Sequence, residues 1–231
     1  MINKLFEKNE KIICISLIVI YVVTNSYCVQ NYGIADYRSG LINTVFSLVL
    51  IILMKYSNGL PYYGIQKVSN TKKYLYFFPL VIIATVNLWR GMDLSKSLKE
   101  VGLYFWTMIN VGFIEEIIFR GFLFRMIAHE SQQKAIIITA VTFGIGHIVN
   151  LFNGADFVST FAQIIYAISI GYLFSVIFCK SSSLLPCILT HIAINSLAVF
   201  AVRGNDVYIC ICSTLLTIIS LSYAYYINKL K

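Results

Sequence analysis

Asn110–Phe122 reads NVGFIEEIIFRGF, an apolar run interrupted by two adjacent glutamates and an arginine. A charge at the centre of a bilayer costs about 2.5–3.5 kcal/mol on insertion scales, so such residues face the protein interior or a cavity. Glu116 and Arg120 are four apart, share a helix face and can pair. Glu115 projects about 100° away from Glu116 and has no local partner. A buried ion pair that fixes helix packing would account for Glu116 and Arg120. It leaves Glu115 unexplained.

The surrounding chain is that of a membrane protein. Of 231 residues 58% are hydrophobic and 12% charged, with a mean hydropathy of +0.78; soluble domains average about 45–50% apolar and about 25% charged. Apolar runs of spanning length recur, and in lipid these must be helices because every backbone group needs an internal partner. The expected fold is all-α. It is a polytopic membrane protein of about eight transmembrane helices, 12–29, 41–54, 74–89, 101–124, 135–152, 157–178, 184–202 and 207–227, around an intramembrane cavity. One integral membrane domain is expected over 1–231, with a catalytic helix core at 101–202. The first apolar run is read as an uncleaved span, being too long for a signal-peptide core and lacking a clear cleavage site.

The net charge of +8 reflects lysines flanking the spans. No cluster mixes basic and aromatic residues on a soluble face, so nucleic acid is not an expected partner. With a cytoplasmic N-terminus, 12 Lys and Arg fall on that side against 5 on the other. The positive-inside bias then puts both termini in the cytoplasm. The six cysteines form no CxxC pair and lie mostly in apolar runs, where cysteine behaves as a small hydrophobe. Neither a disulfide framework nor a zinc ribbon is indicated.

Two histidines lie within spans. His147 ends FGIGH, one turn after Phe143, with Gly144 and Gly146 leaving room for a neighbouring helix. His191 opens HIAIN, one turn before Asn195. Either alone is more often a packing residue than a catalyst. His129, in AHESQQK, is read as a solvated loop residue. Depth favours a combination. His147 lies about 18 Å from the start of its span, His191 about 10 Å, and Glu115 about 13 Å from the inner end of its own. All three can meet at one level in the cytoplasmic half. A carboxylate and an imidazole can activate water; an imidazole N–H and an amide N–H can stabilise a tetrahedral oxyanion.

EEIIFR (115–120), FGIGH (143–147) and HIAIN (191–195) resemble the EExxxR, FxxxH and HxxxN motifs of the CAAX protease and bacteriocin-processing family. This family of intramembrane endopeptidases, formerly called Abi, includes the type II CAAX prenyl endopeptidases. The resemblance covers roughly Val101 to Val202. It implies that Glu115 and His147 activate the attacking water, Glu116 and Arg120 hold the geometry, and His191 and Asn195 form the oxyanion hole. Phe143 is expected to line the cavity. No cofactor is the favoured expectation. The competing one has Glu115, His147 and His191 hold zinc with an open fourth position. The expected substrate is a membrane-associated peptide or protein, in a bacterial cell membrane judged from the Ile-, Lys- and Asn-rich composition, with roles in peptide maturation or bacteriocin self-immunity. The alternatives are a non-catalytic immunity protein that acts by binding, and a transporter with a buried charge relay.

Overall fold

Helix starts are written locally. In the computed structural model, which describes residues 2–68 and 78–230 and side chains from residue 9 onward, five helices begin at a side chain that accepts a backbone N–H. Asp36 accepts from Arg38 to open α2 (Tyr37–Tyr56). Ser97 accepts from Glu100 to open α4 (Leu98–Glu116). Ser131, Asp156 and Asn205 open α6 (Gln132–Gly146), α8 (Phe157–Ser181) and α10 (Asp206–Lys229) in the same way. Each satisfies one orphan donor of a first turn. α9 (Leu185–Leu197) instead carries Pro186 in its first turn, where the missing N–H costs nothing. The remaining helices are α1 (Ile2–Tyr32), the short α3 (Phe78–Ala84), α5 (Phe124–Ala128) and the single turn α7 (Val149–Phe152).

Among the described residues the fold is all-helical, apart from an isolated bridge between Met92 and Ala201. Five helices are long and apolar enough to cross a membrane: Asn9–Tyr32, Tyr37–Tyr56, Gln132–Phe152, Phe157–Ser181 and Asp206–Lys229; the apolar Leu185–Phe200 is shorter. The count of eight is not reached on those criteria. Of the expected helix 74–89, residues 74–77 lie outside the described residues, and the rest is α3 followed by a 3-10 turn at Val86–Leu88. The expected helix 135–152 breaks after Gly146 and resumes at Val149. The expected helix 101–124 runs longer, from Leu98 through Ala128, with a π-helical stretch at Ile117–Leu123 between α4 and α5.

That π stretch sits at the centre. All seven of its residues are buried, as are Ile114, Glu116 and Phe124 on either side. A helix apolar all round is a core helix, and here it is enclosed. α4 packs on α2 and α9, α6 and α10 pack on α8, and α1 and α6 touch the π stretch. The outer faces are apolar in turn: Ile12, Val19 and Val23 of α1, Leu48 and Ile52 of α2, and Ile211 and Ile218 of α10 are exposed. An apolar exterior around buried polar groups is the arrangement a lipid environment selects.

The connections sort into two faces. One joins Gly64–Gln66 to Ser182–Leu184, with Gln66 Nε2 donating to Ser182 O at 2.6 Å and Ser183 Oγ to Gln66 O at 2.6 Å. Gly64 has a φ of +87° there, and a Cβ would stand 3.1 Å from the Leu184 nitrogen, so the position needs glycine. The opposite face carries Gly33–Asp36, the Met92–Ala201 bridge, and Arg203 at 3.5 Å from Asp156. Lys72, Lys73 and Lys231, counted for the orientation, lie outside the described residues.

Candidate functional site

Glu116 and Arg120 form the pair that their spacing anticipates. Arg120 Nη1 donates to Glu116 Oε1 at 3.1 Å, and both side chains are 0% exposed. The guanidinium also lies over the Phe143 ring, 4.3 Å from its centroid, a favourable cation–π geometry. Room for it is made by Gly171, where a Cβ would stand 2.7 Å from Arg120 Nη2.

His191 reaches this pair from α9. Its Nδ1 lies 2.9 Å from Glu116 Oε1 and its Nε2 lies 3.5 Å from Glu115 Oε2. An ionised carboxylate only accepts, so Nδ1 carries the hydrogen towards Glu116. This carboxylate–imidazole contact sets the ring's orientation and tautomer. Neutral His191 then presents a bare Nε2 on the Glu115 side, and the protonated ring presents a donor there.

Glu115 has a second partner that the sequence reading did not supply. Tyr21 of α1, 94 residues away, donates its hydroxyl to Glu115 Oε1 at 2.9 Å. Tyr21 is buried at 4% exposure, and its ring meets Phe46 edge-on at 5.5 Å. A tyrosine in an apolar run reads as core or interface, so no local signal marks it.

His147 stands where α6 ends. Its Nδ1 lies 3.0 Å from the Phe143 carbonyl oxygen, which leaves Nε2 for the cavity. The imidazole in direct contact with Glu115 is therefore His191; His147 faces the same cavity without such a contact. Phe143 lies edge-on to both histidines, at 5.0 Å and 5.6 Å between centroids. Of the two glycines beside His147, only Gly144 is a close approach: a Cβ would stand 2.9 Å from the Ile168 nitrogen, while at Gly146 it would meet nothing within 4 Å. His129 is exposed at the face that carries Tyr62. All six cysteines are free thiols.

A cavity of about 430 Å³ is lined by Glu115, Phe143, His147 and Asn195, together with Tyr21. A recess of about 40 Å³ shares Phe143, His147 and Asn195 with it and adds His191. The catalytic candidates thus border one connected space, while Glu116 and Arg120 lie behind it. The zinc alternative needs three donors converging on one point. Among the described residues no group of three or more His, Cys, Asp and Glu side chains is placed to hold a metal ion. His191 turns Nδ1 to Glu116 and His147 turns Nδ1 to its own helix, which leaves both Nε2 atoms free, the arrangement that metal-ligating histidines also use.

Fold and site define a class, an α-helical membrane protein with carboxylates and imidazoles gathered around a cavity between its helices. The family model for Rce1-like type II CAAX prenyl endopeptidases matches residues 97–197, the segment that carries all three motifs. Over these residues the chain is similar to that family, in line with the resemblance anticipated from EExxxR, FxxxH and HxxxN, and the family is one of membrane proteases, which are peptide hydrolases. No curated protein and no solved structure matches the chain.

Proposed function

We propose that the chain is an intramembrane endopeptidase that hydrolyses a peptide bond of a membrane-associated peptide or protein, with water activated by Glu115 and His147 and without a metal. The observation that carries this reading is the shared cavity: Glu115, His147 and Asn195 all line it. In this reading Glu115 takes a proton from water in the cavity, and His147 Nε2 orients that water or receives the proton in turn. The attacking oxygen adds to the scissile carbonyl. Asn195 and the protonated His191 donate to the resulting oxyanion. As the tetrahedral intermediate collapses, the C–N bond breaks and the leaving amine takes the proton held by Glu115 or His147. Tyr21 holds one oxygen of Glu115, Glu116 orients His191, and Arg120 neutralises Glu116.

The same reading takes the chain as one membrane domain with eight spans, the catalytic core at 101–202 and both termini in a bacterial cytoplasm. Peptide maturation or bacteriocin self-immunity is the role in view. The deciding experiment is cleavage of a candidate peptide by purified wild-type protein and by Glu115→Ala, each with and without exhaustive chelation. Cleavage is expected from the wild type alone and to survive chelation. Loss on chelation with recovery on added zinc would overturn the metal-free mechanism. Undiminished biological activity in a folded Glu115→Ala protein would leave the binding-protein alternative.

A further inference from the structure

The cavity is walled with carboxamides. From Glu115, Phe119 and Phe143 it extends to Ile34, Asn153 and Ala155, which belong to the connections on the face opposite the N-terminus. Asn25, Asn87, Asn150, Asn153, Gln163 and Asn195 all line it. Among the described residues no lysine or arginine does, and Glu115 is the one carboxylate.

These amides are held in place but not used up. Asn87 Nδ2 donates to Ile194 O at 2.7 Å, and Asn150 Nδ2 donates to Gln163 Oε1 at 2.8 Å. Asn153 Oδ1 accepts from Ser26 at 2.6 Å and from Gln30 at 2.9 Å, which pins α1 to the turn before α8 and leaves the Asn153 amide hydrogens over. A carboxamide has two donor hydrogens and two acceptor lone pairs. A single donated bond therefore leaves the carbonyl oxygens of Asn87 and Asn150 available.

A chain cut within the membrane must be locally unwound, and its freed N–H and C=O groups need partners there. Carboxamides offer donor and acceptor together, in the geometry of the peptide group itself. A free terminal carboxylate is met best by a lysine or arginine, and among the described residues the wall holds neither.

We infer that the carboxamide wall is a binding site for the backbone of an extended, uncharged peptide segment, entered from the face opposite the N-terminus, which continues past the scissile bond instead of ending in a free carboxylate. The inference rests on the peptidase reading for its use in catalysis, but binding can be measured without turnover. The full-length Glu115→Ala protein is titrated with a fluorescent ten-residue uncharged peptide, ending either in an amide or in a free carboxylate. The amide form is expected to bind about tenfold more tightly. Asn25→Leu and Asn150→Leu are each expected to weaken it roughly three- to tenfold, the scale of one hydrogen bond. Bound peptide is also expected to protect Ala155→Cys from an impermeant maleimide, read site by site by mass spectrometry.

Equal binding of both forms, unchanged binding in both asparagine variants, or unprotected Ala155→Cys would overturn the inference. If the amide peptide binds as expected and wild-type protein cuts nothing, the binding site stands and the peptidase reading falls. If wild-type protein cuts and the asparagine variants bind and cut like it, only the carboxamide site falls.

Discussion

Glu116→Gln keeps the side chain's volume and removes one charge from a place with no access to water. Arg120, also 0% exposed, then loses its charged partner at 3.1 Å. Its Nε and Nη2 have no protein partner to take over, and what remains is the neutral amide oxygen of the glutamine with the Phe143 and Phe174 rings at 4.3 Å and 5.9 Å, a ring contact being worth about 0.5–2 kcal/mol and present before the change as well. Breaking a buried pair from one side costs about 3–5 kcal/mol, which at 1.4 kcal/mol per factor of ten raises the unfolded fraction roughly 10²–10⁴-fold. Glu115→Gln should cost far less, because Glu115 retains 16% side-chain exposure and glutamine still offers an oxygen to Tyr21. The assay is the folded fraction of purified protein during titration with a denaturing detergent, with wild type and both variants side by side. A double variant, Glu116→Leu with Arg120→Met, should recover much of the loss, since apolar replacement of both partners is often neutral or better. Equal stability of the two glutamine variants would refute the structural role given to the pair.

Tyr21→Phe keeps the ring against Phe46 and removes only the hydroxyl, so kcat on a cleaved peptide should fall roughly 10–100-fold with KM nearly unchanged, the scale of one hydrogen bond to a charged group; wild-type kcat would show that α1 merely packs there. Gly171→Ala brings a Cβ to 2.7 Å from Arg120 Nη2 and 3.2 Å from the Ala140 Cα, and should destabilise by about 1–3 kcal/mol through overpacking; an unchanged midpoint in the same titration would contradict that contact. Asp36, outside the spans, is held down at about 2 by the Arg38 side chain first and the Arg38 backbone N–H second. Its folded value lies below the unfolded one of about 3.9, so its contribution is complete above about pH 4 and is lost as pH falls towards 2. The difference in melting temperature between wild type and Asp36→Ala should shrink over that interval; a constant difference would show that the charge is not what caps α2.

Relations within one turn were legible in the sequence. Helical spacing alone put Glu116 with Arg120, Phe143 with His147 and His191 with Asn195, because residues three or four apart meet whatever the rest of the chain does. Composition put the helices in lipid, and charges too costly for lipid marked where the interior had to be. Three motifs in order pointed to the family. What lies between distant segments is set by how the helices pack, and only the tertiary structure decided it. Which imidazole touches Glu115 depends on the approach of α9 and on the end of α6 at Gly146, not on any spacing. Tyr21 depends on α1 lying beside the π stretch, and to local sequence one tyrosine in an apolar run is like another. The amides of Asn25, Asn87 and Asn150 stand in three separate segments with no shared pattern, and they become a wall only because three unrelated stretches face one space.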